Sequence, residues 1–257
     1  MIAFGYSVIA IACLAALASS FNLWRRHRNA VTLLILIPLM FLWLDNFAIA
    51  VGRWVGEGAL LTGMTYLRFF WHWAMLPLLF IVAGGLARRA GFGWAQSKFV
   101  MAAFCLVAVA LIALDVPHIF QVEFYPACYG DTFRYTINVP ADQICDPANV
   151  PPKGVSVPPF AAIGVNIVLM AIGFGMWWKH KFSWLALACV FMFVCAASGA
   201  IPGFFWGQFL GNVGEPVFNA GLIAAGYRYA GLSANPGAAN PGAANPGAAN
   251  PEATRAA

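Results

Sequence analysis

The stretch AVTLLILIPLMFLWLDNFAIAV, residues 30–51, decides the fold class, because its 22 residues include a single ionisable side chain, Asp45. About 20 predominantly apolar residues are enough for a helix to cross a bilayer. The apolar residues follow one another without the alternation of a barrel strand, and a helix satisfies its own backbone groups inside lipid. This stretch therefore predicts a transmembrane helix.

Six further stretches of the same kind extend the prediction to a seven-helix membrane bundle, an all-α fold. They are residues 2–22, 66–87, 98–115, 158–178, 183–203 and 209–229. Over the whole chain 62% of residues are hydrophobic and only 9% are charged, whereas a typical soluble domain carries about 25% charged residues. So low a charge excludes an ordinary soluble enzyme, a disordered chain and a nucleic-acid-binding protein, and it makes the lipid bilayer the expected partner.

The positions of the cations predict the orientation of the helices. Nine cations fall on one face of the membrane when seven spans are counted: Arg25, Arg26, Arg28, Arg88, Arg89, Lys98, Lys179, Lys181 and Arg228. Lys and Arg mark cytoplasmic loops, so the N-terminus is predicted outside and the C-terminus inside, in a bacterial inner (plasma) membrane. The first stretch lacks the basic start of a signal peptide, so we interpret it as an uncleaved helix.

Two segments differ in composition from the bundle predicted over residues 1–232. Residues 233–257 repeat Ala-Asn-Pro-Gly-Ala, which cannot build a core and predicts a disordered low-complexity cytoplasmic tail. The long outer loop, residues 116–157, holds Cys128 and Cys145, the two cysteines outside the spans. On an oxidising face they would form a disulfide; the alternative is two free thiols.

Polar side chains inside the spans are the candidate site, because such residues are costly in lipid and are functional candidates by default. They are Asp45, Asn46, Arg68, His72, Glu215 and Asn219. Arg68 and His72 are four residues apart and share one helix face, as do Glu215 and Asn219. All six fall in the outer half of their spans, which predicts one polar layer that opens outward and binds a ligand or protons.

The surroundings of this layer allow two interpretations. Arg53 and Glu57, in the short outer loop, are predicted to extend an ion-pair network, although such a network could also serve only to lock helices together. Aromatic residues near the layer are candidate pocket walls, or else members of an interfacial aromatic belt. These aromatic residues are Trp43, Trp71, Trp73 and Trp206.

Catalytic and metal-binding motifs are not found in the sequence. The four histidines, His27, His72, His118 and His180, lack the spacing of a metal-ligand cluster. No phosphate-binding loop and no nucleophile elbow occur. We therefore predict no catalytic residue and no metal, leave the cofactor open, and find nothing that identifies an enzyme.

Two segments resemble microbial rhodopsins. RFFWHWAMLPLL, residues 68–79, resembles their third helix, with an arginine nine residues before Pro-Leu-Leu. In the last helix that family has an acid at the position of Glu215 and a retinal-binding lysine at the position of Asn219. The counterion acid of that family would stand at the position of Trp71. Because no lysine lies in the interior of a span, with Lys98 standing at the very start of one, the resemblance implies a retinal-free relative that binds another ligand or none.

The function predicted from these observations is binding or transport of a small molecule or protons through the outward-facing polar pocket. Asp45 would be the site of protonation or cation contact, and Arg68 its partner or an anion anchor. Two alternatives stay open: a non-catalytic membrane subunit whose outer loop docks a membrane protein partner, and a membrane enzyme that acts on a lipid or isoprenoid.

Overall fold

The computed structural model describes residues 1–154, 157 and 159–232, so the predicted tail at 233–257 lies outside the described residues. The chain is mostly helical, at 74%. The helices are α1 (Ile2–His27), α2 (Ala30–Val55), α3 (Ala59–Met75), α4 (Leu78–Arg89), α5 (Lys98–Asp115), α6 (Phe160–His180), α7 (Trp184–Ser198) and α8 (Gly207–Tyr229). Short 3-10 helices cover Gly93–Gln96, Val116–Phe120 and Ala141–Gln143.

The length and composition of the helices are those of a multi-pass membrane protein. Five segments of the described chain are long and apolar enough to cross a bilayer: Ile2–His27, Ala30–Val55, Ala59–Arg89, Lys98–Phe120 and Phe160–His180. The apolar helix α7 has 15 residues, and α8 has 23 residues interrupted by polar side chains and glycines. Several apolar helices that could span a membrane are thus confirmed, whereas the count of seven spans stays a prediction.

The third predicted span is two helices in the structure. A break at Leu76 and Pro77 separates α3 from α4, because proline has no backbone N–H to donate to the preceding turn. Helix α3 also begins at Ala59, seven residues before the predicted start at residue 66. His72 consequently lies in the last turn of α3.

The turn between α1 and α2 is fixed by local hydrogen bonds. Arg28 closes α1 in the left-handed region, at φ 42°. The Asn29 side chain then accepts from the Thr32 N–H at 3.2 Å, and Thr32 Oγ1 accepts from the Asn29 N–H at 3.4 Å. This capping box starts α2, and Asn29 Nδ2 also donates to the Ala230 carbonyl at 3.1 Å, next to the end of α8.

The outer loop contains a β-hairpin that sequence analysis did not predict. Strands β1 (Tyr125–Tyr129) and β2 (Thr132–Thr136) pair antiparallel, and the tight turn places Gly130 at φ 59°, a conformation that favours glycine. Cys128 and Cys145 lie at disulfide distance, with Cα atoms 5.0 Å apart. The predicted disulfide is therefore confirmed, and it ties the hairpin to the rest of the loop.

Two polar contacts hold the hairpin on the helices. At its tip, the Met1 ammonium and the Ala3 N–H both donate to the Asp131 carboxylate and lower its pKa to about 2. In β2, the Arg134 guanidinium donates to Gln143 and to Gln208, in the first turn of α8. Burial lowers the pKa of Arg134. The hairpin thus covers the end of the bundle where α1 and α8 begin.

The other half of the bundle is a closely packed apolar core. Its fully buried side chains come from every helix except α3, and include Leu39, Leu79, Leu86, Leu169 and Leu222. This packing leaves the polar side chains of the spans near the hairpin.

Close contact between α2 and β2 depends on Gly52. A Cβ atom at this position would overlap the Phe133 carbonyl oxygen, so we expect Gly52→Ala to destabilise the fold by about 1–3 kcal/mol. Gly63, inside α3, faces open space and is the control, since Gly63→Ala should stabilise by roughly 0.5–1 kcal/mol. Thermal unfolding in one detergent measures both, and equal effects of the two substitutions would contradict the contact.

Candidate functional site

An ion pair between α2 and α3 is the centre of the polar layer. Arg68 Nε donates to Asp45 Oδ1, and each side chain is only 10% exposed. A buried charge needs an opposite partner, because the desolvation cost of an isolated ion is large. The structure therefore brings together two of the predicted site residues in the one arrangement that keeps both charged.

A second polar cluster joins α1, α2 and α8. Asn46 Nδ2 donates to Glu215 Oε2 at 2.5 Å and to the Leu42 carbonyl at 3.1 Å. Asn212 Nδ2 donates to Asn46 Oδ1 at 3.1 Å, and Tyr6 donates to Asn212 Oδ1 at 3.5 Å. Asp45 and Asn46 are adjacent in sequence, so α2 directs them to different neighbours and contributes to both clusters.

Asn219 lies one helical turn beyond Glu215 and is fully buried. Its Nδ2 is 4.0 Å from Cys13 Sγ, and its Oδ1 has no hydrogen-bond partner among the residues described. Asn219 lines neither of the two cavities described below. The structure thus places it in the contact of α8 with α1.

A cavity of about 310 Å³ adjoins the ion pair. Asp45, Arg68, His72 and Trp73 line it from α2 and α3, and Asp115 lines it from the end of α5. Residues 136–138, in and after β2, line it from the hairpin side. Four of the predicted site and pocket residues therefore meet at one cavity, beneath the loop predicted to face outward.

A second cavity, of about 420 Å³, shares His72, Leu76, Pro159 and Ala162 with the first. Most of its wall is apolar side chains of α6, α7 and α8, and Glu215 and Asn166 are further polar residues in its lining. His72 therefore lies at the wall between a polar and an apolar cavity. The predicted polar layer is not one space but two, and the end of α3 and the start of α6 form the wall between them.

Two lining residues were missed by sequence analysis. Asp115 is buried and has no ion-pair partner in the described part of the chain. It was missed because it is the last residue of the predicted span 98–115, where a charged side chain is ordinary. Asn166 is also buried, and neither its Oδ1 nor its Nδ2 has a partner among described residues. Asn166 is the single amide side chain in the apolar span 158–178, and this isolated polar residue could have indicated a site.

The remaining predicted residues lie away from the two cavities. Arg53 and Glu57 are exposed, and no ion pair joins them within residues 1–154, 157 and 159–232. Trp71 stacks on Phe41 with ring centroids 3.8 Å apart, and Trp43 stacks on Phe47 at 5.3 Å. Trp206 is 45% exposed. Of the four predicted pocket aromatics, Trp73 is the one that lines the first cavity.

The fold and site together define a helical protein of the multi-pass membrane type with a polar cavity between its helices. No known protein family and no curated protein matches the sequence. The resemblance to microbial rhodopsins thus stays limited to the two segments that carry it. In the described part of the chain no three His, Cys, Asp or Glu side chains lie together in a way that could hold a metal ion.

The ion pair predicts strong energetic coupling between Asp45 and Arg68. Asp45→Asn leaves the guanidinium buried without a counterion, so we expect it to destabilise the fold by about 3–5 kcal/mol. Adding Arg68→Gln should recover most of that loss, because an amide pair replaces the ion pair. Chemical unfolding of both single variants and the double variant measures the coupling. Arg53 is exposed, so Arg53→Gln is the control and should change stability by less than about 0.5 kcal/mol. Additive effects of the substitutions at positions 45 and 68 would refute the coupling.

Proposed function

We propose that the chain is a seven-span membrane protein with its N-terminus outside and its C-terminus in the cytoplasm of a bacterial cell. Five long apolar segments support the membrane location, and α7 and α8 would supply the last two spans. The basic loops favour the orientation. The disulfide of the hairpin loop supports it further, because disulfides persist on the oxidising side of a membrane.

The first cavity would be the outward-facing binding site, and we infer that it takes a small organic cation. The charge of Asp45 is balanced by Arg68, whereas Asp115 has no ion-pair partner among the described residues. Asp115 therefore leaves the cavity with an unbalanced negative charge when it is ionised. A cation would supply the missing countercharge, and this unpaired buried acid is the observation that carries the proposal.

Aromatic side chains in the same lining favour a quaternary ammonium group. Arg68 already lies over the Phe69 ring, with Cζ 5.5 Å from its centroid. Trp73 lines the cavity as well, and an indole ring is the best partner for cation–π binding. The volume of about 310 Å³ falls within the usual range for small-molecule sites, about 300–1,000 Å³.

Binding is better supported than free passage through the bundle. The buried side chains of the apolar core, among them Leu79, Leu86 and Leu169, fill the space beyond the cavity. A transport cycle would have to separate these side chains, so it requires a second conformation. We therefore propose a binding protein or receptor, and transport of the cation or of protons is the second candidate.

The experiment compares choline with 3,3-dimethyl-1-butanol, a molecule of the same shape without the charge. Calorimetry on the purified protein should detect saturable choline binding, and the neutral analogue should bind at least about tenfold more weakly if the ammonium charge contributes 1.4 kcal/mol or more. Asp115→Asn should reduce choline affinity by a similar factor. Arg53→Gln, outside the cavity, should leave the affinity unchanged.

Two results would count against the cation site: equal affinities for the two probes, or an unchanged choline affinity in Asp115→Asn. Uptake of radiolabelled choline into proteoliposomes separates the two candidate functions. Binding without uptake supports a receptor or binding protein. Uptake that Asp45→Asn abolishes in a correctly folded variant supports a transporter.

A further inference from the structure

We propose that the second cavity binds a neutral long-chain alcohol that enters from the lipid between α6 and α7. The chain of the ligand would occupy the apolar part of the cavity, and its hydroxyl group would contact Asn166. This site is separate from the cation site, and it requires only that α6 and α7 face the bilayer.

The cavity opens sideways on the bundle. Ile163 from α6 and Phe193 from α7 line it, yet they are 47% and 43% exposed. The small residues Ala196, Ala197 and Ala200 also line it and are exposed. The gap thus exists because alanines stand where larger side chains would close the contact between the helices. In a membrane, the surrounding lipid would meet this opening directly.

Asn166 determines the polar group of the ligand. Its side chain is buried in the cavity wall with both the amide N–H₂ and the carbonyl oxygen unpartnered among the described residues. Leaving such groups unpaired costs free energy, so the complementary group must both accept and donate a hydrogen bond. A hydroxyl does both, whereas an ammonium group can only donate and an ether can only accept.

Glu215 makes the site unfavourable for an anionic ligand. It lines the same cavity, with one carboxylate oxygen accepting from Asn46. A fatty-acid carboxylate or a lipid phosphate would put a second acid beside it in an apolar space, where like charges strongly oppose ionisation. Among lipid-soluble groups that donate and accept, the neutral hydroxyl avoids this penalty.

The test measures equilibrium binding of tritiated farnesol to the full chain in nanodiscs, with farnesyl methyl ether as a competitor that cannot donate a hydrogen bond. Saturable binding is expected, and the ether should compete about tenfold more weakly than unlabelled farnesol, the factor for one lost hydrogen bond. In Asn166→Leu, farnesol should lose that advantage, and unlabelled farnesol and the ether should compete with equal affinity.

A second pair of variants tests the location of the site. Ala197→Phe fills the opening from α7 and should abolish saturable binding. Leu187→Phe adds an aromatic ring at another exposed position of α7 that does not line the cavity, and it should bind like the unmodified protein. Both positions are exposed on the outside of the bundle, so we expect both variants to fold.

Three outcomes would overturn the proposal. If farnesol binding does not saturate, or if Ala197→Phe leaves it unchanged, water or bulk lipid fills the cavity. Equal competition by farnesol and its ether in the unmodified protein would remove the role of the hydroxyl. Asp115→Asn should leave farnesol binding unchanged, so failure of the cation site and failure of this site are distinguishable.

Discussion

The buried ion pair between Asp45 and Arg68 is the interaction on which the polar half of the bundle depends. Neither charge could remain alone in an apolar environment, so α2 and α3 must meet at this level. Their contact fixes His72, one turn along α3, at the wall between the two cavities. On the next position of α2, Asn46 turns to α8 and holds Glu215. One helix therefore organises both polar clusters.

The two cavities share a wall but differ in chemistry and access. The first lies beneath the hairpin and is lined by charged groups, whereas the second lies between α6 and α7 and is mostly apolar. A water-soluble cation and a lipid-soluble alcohol would therefore approach the same bundle from different phases. Because His72 and Leu76 line both spaces, a ligand in one would change the wall of the other. These two side chains are therefore a direct route by which binding at one site could affect the other.

Much of the fold could be predicted because long apolar stretches are a strong signal. The break at Pro77 could not, since membrane helices often accommodate proline and the sequence alone does not say when one interrupts the backbone. Pairing of Asp45 with Arg68 followed from opposite charges within the spans. Asn166 was missed because an uncharged amide looks tolerable in a span. The cavity that Asn166 lines could not be predicted either. A gap between helices depends on which small residues face each other across the contact, and a single stretch of sequence does not contain that information.

In the proposed orientation, the disulfide between Cys128 and Cys145 would set an order for the biogenesis of the protein. The bond joins residues 17 positions apart in the loop that would lie outside, so its oxidation would follow translocation of that loop. Without that bond the hairpin above the first cavity would still be held by the pairing of β1 with β2, by its polar contacts with α1 and α8, and by its packing against α2. Helix insertion and site assembly would thus be separate stages: the lipid environment would complete the first, and the redox state of the compartment beyond the membrane would complete the second.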